Sequence, residues 1–306
     1  MPTIITPPVL GAINNGLNLA YNTQLYRADP VCHQFCYAAP SGGASEVYPS
    51  LDTMRGPREW LGARIVQQLG AHQFSITNRK FEQTIEVKRD DIEDDKVGLY
   101  TPIAAEMGRS GNEFPDLLVS ALMKAGITTA GYDGQNFFDT AHPNYDAAGV
   151  AITLGNYTAG ANAGWFLLDN SRALKPFIIQ TRSPFNLVTR FNLNDPHVFD
   201  NDAFLWGTRG RMAAGFGLWQ LAYYSKAAFT VANVEAARTA MSLIRRPDGT
   251  PMGISPDTVV VPTSLSTQAM SYFANGLIAN DPATPTVLVE NRIKGMFKPI
   301  EYKWLN

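Results

Sequence analysis

Alternating apolar and charged positions predict a β-strand between Phe81 and Lys88. A shorter apolar stretch that contains Phe74 and Ile76 precedes it, and the polar residues 77–80 between the two stretches indicate a turn. Together they predict a long, partly flat β-hairpin. Because an isolated hairpin is only marginally stable in water, we expect its faces to be covered elsewhere in an assembly.

A long amphipathic helix is predicted after an acidic turn at residues 90–95. Thr101 is a suitable N-cap with a proline directly after it, and apolar residues then recur at helical spacing as far as Gly126. A helix of roughly 24 residues would be about 36 Å long. Pro115 lies inside this pattern and removes one backbone donor, so a kink is predicted near residues 111–114.

The rest of the chain predicts shorter elements around turns. Residues 1–57 are rich in proline, glycine and small polar residues and show little periodicity, which is typical of an extended arm. Residues 127–165 are expected to be loop-rich, with turns at 132–134, 142–144 and 155–156, and further turns or bulges are indicated by Gly207, Gly210, Gly215 and Gly217. Later elements are predicted as strands at 165–168, 177–179, 219–224, 258–262 and 299–305, and as helices at 233–246, capped by Asn233, and 264–275, capped by Ser264. The mixture predicts an α+β fold with helices packed on a mixed sheet.

Composition points towards assembly. Charged residues make up 17% of the chain, below the usual share of about a quarter, so we expect part of the surface to be hidden against partner subunits. The formal net charge is -2 with no lysine or arginine block, which argues against tight binding of nucleic acid. No apolar run reaches the roughly 18 residues that a membrane span needs, and no leader segment is evident, so a soluble intracellular protein is expected.

Three groups of residues could carry chemistry. Cys32-His33-x-x-Cys36 contains possible zinc ligands but has no fourth ligand or second motif, which favours two ordinary thiols and no metal. Asp139 and His142 could form an acid–base pair in the cleft of an enzyme, although an aspartate in such a turn more often bonds its own backbone. The acidic run 90–95 lacks the spacing and central glycine of a calcium loop. We therefore predict no catalytic residue and no cofactor.

Charged and aromatic residues near the predicted hairpin are candidates for contacts between subunits. The acidic run is either a solvated turn or a partner for basic residues of an adjacent subunit. Trp60, flanked by Arg58 and Arg64, is the expected anchor, with ordinary core and surface packing as the alternative. The candidate contact residues are Arg58, Trp60, Arg64, Arg79, Lys80, Lys88, Arg89, Asp90, Asp91, Glu93, Asp94 and Asp95.

Several segments in order resemble the major head subunit (gene product T) of Mu-like bacteriophages and prophages. They are REWLGAR (58–64), FEQTIEVKRDDIEDD (81–95), YDGQNFFDTAHP (132–143), WFLLD (165–169), KP (175–176), WQLA (219–222) and VVVP (259–262). The resemblance implies the Hong Kong 97-like capsid fold. Its parts would be an N-terminal arm (1–48), an extended loop (49–89), a peripheral domain (90–149) with a long spine helix at 101–126, an axial domain (150–285), and a return strand to the peripheral domain (286–306).

That family implies a shell protein in a virion, assembled in the bacterial host cytoplasm. Its expected partners are many copies of itself as hexamers and pentamers, a separate scaffolding protein, a portal, a decoration protein and enclosed double-stranded DNA without sequence-specific contacts. A separate scaffold is expected because the first 45 residues are too short for a fused one. Lys80 lies where some relatives of the fold form a cross-link, but no partner asparagine is evident, so none is expected. The alternatives are a nanocompartment shell around an enzyme, and an enzyme using Asp139 and His142.

Overall fold

The computed structural model describes residues 4–49, 59–60, 73–94, 97–279 and 288–306. The α-helices are α1 (Pro7–Leu25), α2 (Arg89–Glu93), α3 (Tyr100–Ala125), α4 (Pro196–Asn201), α5 (Val231–Ser242) and α6 (Thr263–Phe273). The strands are β1 (Cys36–Pro40), β2 (Ser45–Pro49), β3 (Gln73–Thr77), β4 (Arg79–Lys88), β5 (His142–Tyr145), β6 (Ala151–Leu154), β7 (Tyr157–Thr158), β8 (Trp165–Leu168), β9 (Phe177–Arg190), β10 (Ala203–Phe216), β11 (Ala222–Ser225), β12 (Thr258–Val261), β13 (Leu277–Ala279), β14 (Leu288–Glu290) and β15 (Lys298–Glu301).

Two sheets organise the described residues. The first has the strand order β1-β9-β10-β4, with β1 parallel to β9 and the other pairs antiparallel. One face of its long strands packs against α1 and α3 through Phe185, Trp206 and Met212, because apolar residues alternate there with polar ones. The second sheet has the order β15-β12-β8-β11-β7. All four residues of β8 and of β12 are buried, as expected for strands that are covered on both faces.

The predicted extended arm is wrong for residues 7–25, which form α1. Pro7 begins the helix, where a missing N–H costs nothing, and Leu10, Leu17, Tyr21 and Leu25 are its buried residues. This apolar stripe is narrow and interspersed with glycine and asparagine, so its periodicity is weak. The helix contacts α3 closely within the same chain.

The predicted spine helix is confirmed as α3, which has 26 residues and includes Pro115 without interruption. Its start differs from the prediction, because a 3-10 turn at Val97–Leu99 leads into the helix and makes Leu99 the N-cap instead of Thr101. Gly126 is the C-cap and keeps a right-handed conformation. The kink near residues 111–114 stays a prediction.

The hairpin predicted between β3 and β4 is wrong. The two strands are separated only by Asn78 and pair with different partners, β3 with β2 and β4 with β10. Asn78 is buried, and its amide group donates to Ser41 Oγ over 2.8 Å and accepts from Gln180 Nε2 over 2.9 Å. The polar run 77–80 resembles a turn in the sequence, but the chain stays extended there. Asn78 is tolerated between the two strands because its buried side chain is hydrogen-bonded.

Two predicted turns are regular structure. Residues 89–93 of the acidic segment form the short helix α2, with Asp94 as its C-cap, and residues 142–144 belong to the hairpin β5–β6.

Three of the glycines predicted to mark turns or bulges, Gly207, Gly210 and Gly215, lie inside β10. The pairing of β10 with β9 shifts register at Gly210, so the irregularity expected there is confirmed. At Gly207 and Gly215 the strand continues, and neighbouring side chains occupy the space that a Cβ would need. Ile76, for example, lies 2.3 Å from the ideal Cβ position of Gly215.

The later helices begin earlier than predicted. Thr230, rather than Asn233, caps α5 by accepting from the backbone N–H of Asn233, and α6 begins after Pro262 rather than at Ser264. The strand predicted at 219–224 is a 3-10 turn followed by β11, and the strand predicted at 299–305 ends at Glu301.

The predicted domain boundaries do not follow the sheets. β9 and β10 fall in the predicted axial range 150–285, but β9 pairs with β1 and β10 pairs with β4, and both partners lie outside that range. β15, predicted to return to the peripheral domain, pairs in parallel with β12 of the second sheet, although Tyr302 just after it reaches α3. Long-range strand pairing decides which sheet each strand joins, and the domain ranges themselves stay a prediction.

Candidate assembly interfaces

The candidate contact residues in the described part of the chain separate into two groups at opposite ends of β4. Arg79 and Lys80 begin the strand, and Lys88 ends it next to α2. Ten residues of strand at 3.3 Å per residue place the groups about 30 Å apart. The acidic run and the first basic pair therefore cannot neutralise each other within one chain.

The first end of β4 is basic. The guanidinium of Arg79 lies 5.4 Å from the centroid of the Phe81 ring, and Lys80 is exposed and directly opposite Arg211 on β10. Like charges directly opposite each other destabilise a strand pair. The Nε atom of Arg211 is buried and has no hydrogen-bond partner among the described residues. This end of the sheet therefore brings the cations Arg79, Lys80 and Arg211 close together.

The other end of β4 is largely acidic, and part of its charge is paired internally. Arg89 Nε lies 2.5 Å from Asp202 Oδ1, and the backbone N–H of Arg89 donates to the carbonyl of Asp202 over 3.0 Å. Asp91 accepts a hydrogen bond of 2.5 Å from the hydroxyl of Tyr100. Asp90 and Asp94 are exposed on α2, and Glu93 is half-buried. Arg89 and Asp91 thus have structural roles inside the chain that sequence analysis does not predict.

Trp60 is 67% exposed, in keeping with an interface anchor and not with a core residue. Arg58, Arg64 and Asp95 lie outside the described residues. The contact role of the whole set stays a prediction.

Sequence reasoning missed Phe199, which is 86% exposed on α4. It also missed an open groove of about 470 Å³ between α3 and strands β3, β4 and β10. No periodicity marks a single exposed aromatic residue in a polar segment, and the groove joins the adjacent strands β3 and β4 to α3 and β10, which lie far from them in sequence. Exposed aromatic residues and apolar grooves are typical of protein interfaces.

The proposed enzymatic pair Asp139–His142 does not form. His142 is fully buried: its Nδ1 lies 2.6 Å from Asp133 Oδ2, its Nε2 lies 3.1 Å from Asn156 Oδ1, and its ring stacks on Trp219 at 4.0 Å between centroids. Asp139 instead accepts from the backbone N–H groups of residues 140 and 141. The backbone hydrogen bonds expected of Asp139 are confirmed, the alternative of an acid–base pair in a cleft is wrong, and the imidazole joins a turn to β5 as a structural group.

Replacing His142 should therefore cost stability. We expect His142→Ala to lower the free energy of unfolding by about 2–4 kcal/mol, because it leaves a cavity and unpairs Asp133. Urea denaturation of the purified chain measures this. The control His33→Ala removes an exposed histidine and should change the value by less than about 0.5 kcal/mol. Equal effects of the two substitutions would contradict the structural role.

The Cys-His-x-x-Cys segment lies at a junction of three chain segments. Both oxygens of the buried Asp116 carboxylate on α3 accept backbone N–H groups at the start of a 3-10 turn, Oδ2 from Val31 over 3.1 Å and Oδ1 from Cys32 over 2.7 Å. The hydroxyl of Tyr302 donates to the Asp116 carbonyl over 2.7 Å. Asp116 therefore ties the N-terminal segment and the C-terminal segment to the middle of α3.

The thiols at this junction are poorly suited to bind a metal. The hydrogen bond between Cys32 and Cys36, together with burial, raises the pKa of the Cys32 thiol far above its usual range, which keeps it protonated. His33 points to a different environment, since it is exposed while both cysteines are buried. Among the described residues, no three histidine, cysteine or acidic side chains come together as a metal site would require.

None of the helices in the described part of the chain is both long enough and apolar enough to cross a membrane.

Comparisons with known proteins agree with this architecture. The chain is 36% identical to the major capsid protein of Escherichia phage Mu, over 99% of this chain and 100% of that protein. It is also 36% identical to the Mu-like prophage FluMu major head subunit of Haemophilus influenzae, over 95% of this chain and 96% of that protein. Among solved structures, the procapsid of bacteriophage JBD30 matches with a TM-score of 0.78 at 37% identity, covering 98% of this chain and 100% of that one.

The long spine helix, the two sheets and these similarities define a subunit of a phage capsid with the Hong Kong 97-like fold, so the α+β prediction is confirmed. Residues 10–305 match the model of the family described as the Mu-like prophage major head subunit gpT. The chain belongs to that family. Its relatives are structural capsid proteins, and the resemblance found in sequence is confirmed.

Proposed function

We propose that many copies of this chain form a closed icosahedral shell, as hexamers and pentamers, around the double-stranded DNA of a Mu-like phage or prophage. The observation that carries the proposal is the 36% identity with the Mu major capsid protein along the full length of both chains. Each copy would make several modest contacts with its neighbours. When one contact opens transiently in a closed shell, the remaining contacts hold the copy in place until it reforms. With a net charge of -2, the shell would confine DNA without gripping its phosphates.

Electron microscopy of the purified full chain tests this proposal. Closed particles of uniform size are expected, with nuclease-sensitive DNA released on disruption. Particles that contain an enzyme and no DNA would favour a nanocompartment, and a chain that stays monomeric at high concentration would contradict a shell.

The sheets suggest a revised division of labour. The sheet β1-β9-β10-β4 with α1 and α3 would be the peripheral domain, and the sheet β15-β12-β8-β11-β7 with α5 and α6 would be the axial domain. β2 and β3 pair with each other, and the part of the predicted extended loop at residues 50–58 and 61–72 lies outside the described residues. This division keeps the predicted order of parts while letting β9 and β10 cross the predicted boundary.

Other partners are proposed by analogy. A JBD30 capsid structure is described as decorated with minor capsid protein trimers, and a similar decoration protein would fit this shell. A separate scaffolding protein and a portal would complete assembly in the host cytoplasm. Co-purification of these proteins with particles from infected or induced cells tests each of them.

Trp60→Ala should weaken assembly. Loss of an exposed aromatic anchor is expected to raise the protein concentration needed for assembly about tenfold, as measured by sedimentation velocity. Leu19→Ala is a suitable comparison because Leu19 is 70% exposed, close to the 67% of Trp60. Shells of Trp60→Ala that form at the wild-type concentration and resist heat equally well would exclude the anchor role.

A further inference from the structure

We propose that the two ends of β4 are complementary between copies, so that Phe199 on α4 of one copy inserts into the apolar groove beside Arg79 of a second copy. The inference rests on the proposed shell function and names one of the contacts that would build it.

The inserting part is a rigid protrusion. Asp195 caps α4 by accepting from the backbone N–H of His197 over 2.9 Å, and Val198 is fully buried in the core below the helix. At the other end of α4, Asp202 adopts a left-handed conformation (φ 50°) and is held by Arg89. Phe199 is thus fixed in place with its ring in solvent, which lowers the entropy lost on binding.

The receiving part is an open groove with apolar walls. It measures about 470 Å³, and its lining includes Phe74, Ile76, Phe81, Leu118, Ala121 and Leu122. Phe74 stacks between Tyr48 at 5.5 Å and Tyr132 at 6.1 Å, so one wall is aromatic and firmly packed. An aromatic side chain from outside would find ring partners and a desolvated site there.

Charge favours the same pairing. Asp200 follows Phe199 directly and is exposed, and the exposed Asp90 lies on the neighbouring α2. Arg79 lines the groove, and Lys80 and Arg211 face each other on the adjacent strands. An acidic protrusion approaching a basic groove gains electrostatic attraction and leaves fewer unbalanced charges on both sides.

The occupant must be a second copy. Within one chain, Phe199 and the groove lie near opposite ends of β4, whose ten residues span about 30 Å. The contact is therefore head-to-tail, with different surfaces used on each copy, and such contacts propagate into rings or larger closed arrays. In an isologous dimer, by contrast, the protrusion and the groove of each copy would both be occupied by the same partner, and no further copies could be added through this contact.

Site-directed cross-linking tests the contact. N201C and A121C each place one exposed thiol on either side of the proposed interface and leave Phe199 in place, while the native Cys32 and Cys36 are buried. A mixture of the two full-length variants, treated with a short bismaleimide, should give a covalent dimer on denaturing gels, at least about tenfold more than either variant alone. L19C mixed with A121C is the matched control, since Leu19 is 70% exposed on α1, an element that takes no part in the proposed contact.

A second measurement covers variants that assemble poorly. F199A should raise the concentration needed for assembly about tenfold or more, and A121W, which fills the groove from an exposed position, should do the same without unfolding the chain. Normal shells from both F199A and A121W, or equal cross-linking of L19C and N201C to A121C, would overturn the inference while leaving the shell function intact. Wild-type chain that forms no shell would instead refute the proposed function.

Discussion

Gly108→Ala should destabilise the chain by about 3 kcal/mol or more, because helices α1 and α3 pack backbone to backbone at this residue. A Cβ at Gly108 would lie 2.1 Å from the carbonyl oxygen of Tyr21 and 2.9 Å from its carbonyl carbon. Neither atom can move away unless α1 separates from α3. Urea denaturation of the purified chain should show the loss as a lower midpoint.

Gly16→Ala provides a control with the opposite sign. Gly16 lies on α1 with nothing within 4 Å of its ideal Cβ position. Alanine there should stabilise the helix by about 0.5–1 kcal/mol, since glycine is a poor helix former. If Gly108→Ala were also neutral or stabilising, the close contact between the two helices would be wrong.

Asp116→Ala should cost about 2–4 kcal/mol, because it removes the acceptor for two backbone N–H groups in a buried place. The N–H groups of Val31 and Cys32 would both lose their partner. Asp116→Asn keeps one oxygen acceptor and should cost less than the alanine variant. The loss can be measured as a change in the free energy of unfolding from urea titrations.

Tyr302→Phe separates this effect from the neighbouring hydrogen bond. The Tyr302 hydroxyl donates to the Asp116 backbone carbonyl and not to its carboxylate, so its removal should cost only about 1 kcal/mol. An Asp116→Ala variant as stable as Tyr302→Phe would show that the carboxylate does not hold the N-terminal segment.

The local pattern of apolar residues predicted those elements in which burial follows one simple pattern along the whole element. β8 was predicted at its observed residues, and β12 to within one residue at its end, because every side chain in them is buried and all but Thr258 are apolar. The long helix was predicted because its apolar stripe persists over seven turns. α1 was missed because its partner surface contains Gly108, so small residues suffice at the contact and the apolar signal is weak.

Strand pairing could not be predicted from local sequence. The pairing of β3 with β2, of β10 with β4 and of β9 with β1 joins residues that are far apart in the chain. Gln180, which bonds Asn78 and the carbonyl of Ile76, shows why. A buried polar side chain on one strand satisfies an interruption on another, and neither segment alone carries that information.

The interface residues illustrate the same limit. Charge patterns correctly placed acidic and basic residues near β4, but they could not show that Arg89 is engaged by Asp202. Phe199 escaped because one exposed aromatic residue has no periodic signature. Both features depend on the tip between β9 and β10, which is defined only when the sheet forms.

The junction at Asp116 has a consequence for timing during synthesis. It joins Cys32, which comes 84 residues before the aspartate, to Tyr302, which comes 186 residues after it. The ribosome must release the chain through Tyr302 before this junction can be completed, so the nascent polypeptide lacks these contacts until that residue emerges. A subunit with this arrangement reaches the shape described here, and becomes competent to join a particle, only after the segment that contains Tyr302 has left the ribosome.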